Sequence, residues 1–285
     1  MITLEQALKD ATRELNTHPK LRPAALADAV LLLRHTLGVS RAALIANPTR
    51  LISDDDHAEY QRLIARRVDF EPMQYILGTQ EFYGHHLRVT PAVLIPRPET
   101  ETLVEAVIAR CKPGRTIRIA DVGTGSGAIA IALAQALPQA SITALDISNA
   151  ALAVARHNVE YHGLSDAIRL AESDLLAAVG DGEAPFDIIA SNPPYIADED
   201  AATLHPQVLD HEPRQALFAG PTGLEVYERL IPQAGAHLKT GGLLALEIGY
   251  GQREQIAALL AGWMNVEFVF DLQHIPRVAL AWSPG

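Results

Sequence analysis

The sequence predicts an α/β protein, with a mixed and mostly parallel sheet behind a small all-helical N-terminal domain. Three observations lead there. From Arg115 onward, short β-forming runs alternate with helical runs of roughly 10–15 residues, the pattern of a sheet with crossover helices. Residues 1–70 show helical spacing and no strand pattern. The last two β-runs, VEFVFD and VALAWS, follow one another with no helix between them, so the sheet is mixed. With 285 residues, 48% of them hydrophobic, the chain can fill two cores. The expected domains are 1–75, helical and substrate-recognising, and 76–285, catalytic and opening with a hairpin bridge.

The elements follow in order. Leu4, Leu8 and Leu15, with Ala7 and Ala11, mark a first helix. Leu26, Val30, Leu33 and Leu37 mark the apolar stripe of a second, with Pro23 in its first turn and Gly38 ending it. Ser53 to Asp56 supply N-cap candidates for a third, which carries Tyr60, Leu63, Ile64 and Val68. No chemical motif falls in this span, so it reads as a packing or recognition domain. Tyr75 to Thr90 reads as a short hairpin or irregular bridge. In LIPRPET, Leu94 to Thr100, two prolines prevent a regular helix at the start, and Leu103, Val104 and Val107 continue as one. Then IRIADVG, SITALDIS, IRLAESD, FDIIAS and GLLALEIG are strands, with helices between most of them and before the final pair.

Two strand ends carry the chemistry. The first strand runs into DVGTGSGAIA, Asp121 to Ala130. Gly123, Gly125 and Gly127 permit a tight turn and close ligand approach, and the following helix can aim its amides at a dinucleotide-like ligand. Asp146 ends the next strand, 23 residues after Gly123, where a carboxylate can accept ribose hydroxyls; the alternative is a surface turn. Asp121 can orient the loop, face a cationic cofactor group, or form an Asx turn. Asp174 ends the third strand, either beside an adenine-like ring or as a simple N-cap. The second signal is Asn192-Pro193-Pro194-Tyr195, at the end of FDIIAS and hence on the same sheet edge. The Asn192 side-chain oxygen and the proline carbonyls are acceptors, and the Tyr195 ring is a flat wall. That set suits a planar NH2 group whose nitrogen lone pair must be aimed at an electrophile.

Composition excludes several classes. Lys+Arg is 23 and Asp+Glu 34, so 23 − 34 = −11, which disfavours a long nucleic-acid footprint. Arg66-Arg67 is the clearest basic run, and a solvated helix face accounts for it equally well. Cys111 is the single cysteine, so neither an internal disulfide nor a cysteine zinc cage can form, and the histidines show no metal spacing. The opening MITLEQALKD lacks a secretory pattern and no apolar run reaches membrane length, so a reducing, cytoplasmic location is expected.

Five blocks then carry a resemblance: IPRPETE at 95–101, DVGTGSGAIA at 121–130, SNPPYI at 191–196, EPRQALFAGPTGLEVY at 212–227 and LLALEIGYGQ at 243–252. The chain resembles the class I S-adenosylmethionine-dependent methyltransferases, and among them the peptide-chain-release-factor N5-glutamine methyltransferases. NPPY is shared with adenine amino-methyltransferases, whereas IPRPETE with EPRQAL is selective for the glutamine enzymes. The resemblance implies a Rossmann-like seven-stranded mixed sheet with an antiparallel terminal strand. It implies S-adenosylmethionine held by Gly123, Thr124, Gly125, Ser126 and Gly127, with Asp146 on the ribose, Asp174 and Leu175 about the adenine, and Asn192 beside the methyl donor. Asn192, Pro193 and Tyr195 would form the catalytic set, joined by Pro194 in binding the acceptor amide. The implied acceptor is the GGQ glutamine of class 1 release factors, gripped partly by the helical domain, with no stable nucleic-acid partner and no membrane. Arg97, Pro98 and Glu99 match a segment near the active site and receive no chemical step. Two departures stand out. Leu175 occupies a place where the family often has an aromatic residue, and Asp271 to Arg277 lacks the family's usual glycine before the arginine. Glutamine methylation of a ribosomal protein, adenine-N6 methylation and noncatalytic docking are the competing readings.

Overall fold

A computed structural model describes residues 2–112, 114–180 and 182–284. The outermost residues of the two expected domains, Met1 and Gly285, therefore lie outside the described residues. The chain divides into two compact units: residues 1–78 with 205–211, and residues 79–204 with 212–285.

The first unit is built on helices α1 (Leu4–Leu15), α2 (Ala25–Leu37), α3 (Arg41–Ala46), α4 (Asp54–Val68) and α5 (Met73–Leu77). Ser53 caps α4 by accepting from the Asp56 amide, and Gly38 closes α2 in the left-handed region at φ 62°. The buried stripe of α2 differs from the leucine spacing. Ala25, Ala29, Leu32 and Leu33 face the core, while Leu26 is 58% exposed. Pro23 lies in a separate 3-10 turn, Arg22–Ala24, so α2 starts only at Ala25. Small alanines let a neighbouring helix approach closely enough for the Tyr60 hydroxyl to donate to the Ala29 carbonyl at 2.9 Å. Arg67 also departs from a solvated face. It is 6% exposed, ion-paired to Asp28 at 2.7 Å and bonded to Gln207 at 2.9 Å. Arg66 pairs with Glu71. Tyr75 lies in α5 rather than in an extended run.

The second unit opens with the hairpin Thr79–Phe82 and His85–Arg88. Tyr83 and Gly84 both have positive φ, 50° and 75°, as a two-residue hairpin turn of the I′ type requires. Its sheet has seven strands: β1 (Ile117–Val122), β2 (Ala140–Asp146), β3 (Ile168–Glu172), β4 (Phe186–Ser191), β5 (Leu238–Glu247), β6 (Met264–Phe270) and β7 (Pro276–Trp282). Their spatial order is β6-β7-β5-β4-β1-β2-β3. The neighbouring pairs among β1 to β5 are parallel, and β7 runs antiparallel to both β5 and β6. This is the expected mixed sheet.

Both faces are covered, which explains the near-continuous apolar strands. Ile119 packs into one core with α6 (Pro98–Arg110) and α7 (Ala128–Ala136). Ala120 and Val122 pack into the other with α11 (Glu225–His237) and α12 (Arg253–Leu259). The elements between these are α8 (Asn149–Tyr161), α9 (Pro206–Leu209) and α10 (Arg214–Leu217). Pro98 is itself the first residue of α6, where its missing amide costs nothing. The strand order turns back between β1 and β4, so the loops leaving those strands diverge and open a crevice at their carboxyl ends.

Candidate functional site

A cavity of about 300 Å³ lies in that crevice within the second unit. Gly123, Thr124, Gly125 and Ser126 line it from the β1 end, Asp146 and Ile147 from the β2 end, Asp174 and Leu175 from the β3 end, and Asn192 and Pro194 from the β4 end. Of the expected site residues, Gly127, Pro193 and Tyr195 stand behind this lining. Gly127 begins α7 at φ 83°, and an added Cβ would lie 3.5 Å from Ala155 Cβ, so its smallness serves helix packing. Pro193 is buried, and Tyr195 packs against the core around α11.

The glycine loop is held from within. Amides of Gly123 and Thr124 both donate to the Leu145 carbonyl, at 2.8 and 2.9 Å, and Gly127 donates to Thr124. Gly125 donates to Asp146 Oδ2 at 2.8 Å, and Ala130 to Asp121 Oδ2 at 3.2 Å. Five amides that could cradle a phosphate are therefore spent on the protein. The dinucleotide reading does not survive this, because a pyrophosphate needs such donors. A phosphate-free nucleoside cofactor fits: Asp146 is a carboxylate acceptor with lone pairs to spare, and Ile147, 47% exposed, and Leu175 are apolar walls. Leu175 sits at φ 54°, a costly conformation for a side-chain-bearing residue, and this turns it toward the cavity lining.

Asp174 does not cap the turn that follows it. Its carboxylate pairs with Arg229, and the capping acceptor is the Ser173 hydroxyl, which receives the Ala178 amide at 3.0 Å. Asp121 is fully buried and orients the loop, accepting the Thr124 hydroxyl at 2.6 Å as well as the Ala130 amide. Its other oxygen has no partner among the described residues. Burial pushes this carboxyl up to about 7. The folded state then holds more protons than the unfolded chain between about pH 4 and pH 7, so stability falls as pH rises through that window. Asp121→Asn keeps an acceptor and removes the charge. Relative to wild type it should gain on the order of 1–3 kcal/mol between about pH 5 and pH 8 in urea unfolding of the cofactor-free protein. A difference that does not move with pH contradicts this account.

The β4 end shows what its motif neighbours do. Asn192 Nδ2 donates to the Thr100 hydroxyl at 3.1 Å, and among the described residues no donor reaches Oδ1. The 95–101 and 212–227 blocks meet at Glu212, which is 3% exposed, accepts the Ile95 amide at 3.2 Å and pairs with Arg97. Tyr195 is fixed by the other two blocks. Gln252 donates from Nε2 to the Tyr195 carbonyl at 3.0 Å and accepts the Gly249 amide at 2.9 Å. An added Cβ on Gly249 would come within 2.9 Å of the tyrosine ring and 2.7 Å of Gln252, and one on Gly223 within 2.6 Å of the Tyr195 carbonyl. Gly249→Ala should therefore lower turnover about tenfold or more by displacing this wall; wild-type kinetics would contradict it.

Thr100, Glu247, Gln252, Gly223 and Gly249 had no role in the sequence reading. Only the recurrence of whole blocks pointed toward them. The connection before β7 keeps its form without a glycine. Asp271 Oδ1 accepts the Gln273 and Ile275 amides, its Oδ2 accepts Arg277 Nε at 2.9 Å, and His274 takes the left-handed conformation at φ 60°. Among the described residues no group of three His, Cys, Asp or Glu is placed to hold a metal ion. No helix there is long and apolar enough to cross a membrane.

Comparison with known proteins agrees with this geometry. The Methyltransferase small domain family matches residues 98–221, and the PrmC N-terminal domain family matches residues 6–78. A release factor glutamine methyltransferase from Koribacter versatilis is 42% identical over 283 residues, covering 99% of each chain. One from Coxiella burnetii is 38% identical over 283 residues, again covering 99% of each. The hMettl16 catalytic domain, solved with the MAT2A 3'UTR hairpin 1, superposes with a TM-score of 0.56 at 19% identity. It covers 90% of this chain and 91% of that one, a likeness of fold alone.

Proposed function

The chain belongs to the release factor glutamine methyltransferases, and on that premise we propose that it moves a methyl group from S-adenosylmethionine to the N5 amide nitrogen of the GGQ glutamine in class 1 peptide chain release factors. The observation that carries the reading is Asn192. It lines the cavity, its donor end is spent on Thr100, and its acceptor end is left for an incoming NH2 group.

When bound, S-adenosylmethionine supplies an electrophilic methyl on a sulfonium. The residues of the chain do the rest. Gly123 to Gly127 form the turn against which it rests, Asp146 accepts its ribose hydroxyls, and Ile147 and Leu175 cover its adenine. Asn192 Oδ1 and the Pro193 carbonyl accept the two amide protons of the glutamine. Tyr195 packs against the amide plane, and Pro194 stiffens the loop. An amide nitrogen is a weak nucleophile, because its lone pair is delocalised into the carbonyl. Two acceptors on its protons draw that lone pair out of plane and stabilise the positive charge that grows on nitrogen as the bond forms. The nitrogen loses its proton during or after transfer.

The helical unit serves as the recognition domain, with the catalytic unit starting near residue 76. The net charge of −11 supports a protein acceptor over nucleic acid, and a translation-factor substrate supports a cytoplasmic location. Label from methyl-labelled S-adenosylmethionine should pass to full-length release factor and not to a factor whose GGQ glutamine is alanine. Equal labelling of both would overturn the assignment.

A further inference from the structure

Glu247 is a buried carboxyl without an ion pair among the described residues. It ends β5, beside the end of β4, and is 2% exposed. One of its oxygens, Oε2, has no partner among the described residues, and the Thr100 side chain hydrogen-bonds the carboxyl. A buried carboxyl left so incompletely paired is costly and calls for a reason. Thr100 supplies one, because it also receives Asn192 Nδ2 at 3.1 Å.

A hydroxyl has one proton to give and two lone pairs to accept with. If its proton goes to Glu247, the face it turns to Asn192 can only accept, and only the NH2 end of Asn192 satisfies it. If its proton were free, it could equally donate to Asn192 Oδ1. The side chain would then sit flipped, with its NH2 toward the acceptor glutamine, donor against donor. We propose that Thr100 and Glu247 are positioning residues that hold the Asn192 amide with its carbonyl toward the nitrogen to be methylated. The inference rests on Asn192 binding the acceptor amide, as proposed above, and adds what sets the polarity of that contact.

The ionised form of Glu247 is the one that takes the threonine proton. Arg277 from β7, Arg97 from the segment before α6, Glu99 from α6, Tyr195 from the β4 loop and Tyr227 from α11 surround it. Burial raises its carboxyl to about 7. Protonation as pH falls through that value releases the hydroxyl and permits the flip, so turnover declines on the acid side.

The test uses the full chain and three variants. Thr100→Val should lower kcat by about tenfold to a hundredfold and weaken calorimetric affinity for a GGQ-containing peptide, with affinity for S-adenosylmethionine unchanged. Thr100→Ser should restore both. Glu247→Gln should flatten the acid limb of the kcat profile. Wild-type kcat and peptide affinity in Thr100→Val, equal impairment of the Val and Ser variants, or an unaltered acid limb in Glu247→Gln would each overturn the proposal. The Glu247→Gln profile decides alone if Thr100→Val does not fold, as judged by its melting curve. Asn192→Ala separates the two levels. Full turnover in that variant removes the reading beneath the proposal, whereas an impaired Asn192→Ala beside a normal Thr100→Val removes the proposal alone.

Discussion

Asn192→Ala should reduce kcat by about two to three orders of magnitude while leaving most of the affinity for S-adenosylmethionine. The side chain contributes the only side-chain acceptor among the four residues 192–195 that lies on the cavity wall. The loop itself should survive the change. Ser191 anchors it by donating to the Val122 carbonyl at 2.6 Å, and Gln252 holds the Tyr195 carbonyl. Loss therefore falls on the acceptor amide, whose proton is left without its partner and whose lone pair is no longer aimed. Single-turnover methylation of a release factor, paired with calorimetry on the cofactor, separates the two effects. Turnover equal to wild type sinks the acceptor role, and a parallel collapse of cofactor affinity shows instead that the loop had collapsed.

Asp146→Ala should have the opposite signature. It removes the acceptor for the ribose, and it also orphans the Gly125 amide and the Ser148 amide, both of which donate to this carboxylate. Binding of S-adenosylmethionine should weaken by about tenfold to a thousandfold, the range expected when one or two charge-assisted hydrogen bonds are lost. Burial raises this carboxyl above its ordinary value, opposed by its backbone donors. Its acceptor strength is therefore lost as pH falls, and cofactor affinity should decline toward acid in wild type. Asp146→Asn should blunt that decline. Calorimetric affinity that is the same for wild type and Asp146→Ala contradicts the ribose role.

Much of this architecture could be read in advance, for physical reasons. Strands buried on both faces announce themselves as apolar runs, and a parallel sheet forces helices between them. The carboxyl edge of such a sheet is then where Gly123, Asp146 and Asn192 must lie together. Gly123 bears this out, since a Cβ added to it would come within 3.9 Å of the Asn192 carbonyl oxygen. The misreadings also have causes. In α2 leucines drew attention that belonged to alanines, because close packing of helices prefers the smaller residue at the contact. Arg67 looked like a solvated charge because its partners, Asp28 and Gln207, lie 39 and 140 positions away. The glycine loop suggested free amides because a sequence does not say where backbone donors go.

The residues that support the site were hidden for a related reason. Thr100 looks like an ordinary first-turn helix residue and Glu247 like the end of a strand. Their meaning arises only when folding brings Thr100 to Asn192 across 92 positions. Gln252 and Gly249 likewise become a clamp only once Tyr195 is packed between them. Positioning residues of this kind carry no chemistry of their own, so neither composition nor spacing marks them.

Peptide mass spectrometry of a full-length class 1 release factor, incubated with the enzyme and S-adenosylmethionine, tests the central claim most directly. The account predicts one added methyl group, located by fragmentation on the side-chain nitrogen of the GGQ glutamine, and none with the Asn192→Ala enzyme under the same conditions. A release factor that stays unmodified, or a methyl group found on another residue, would contradict it.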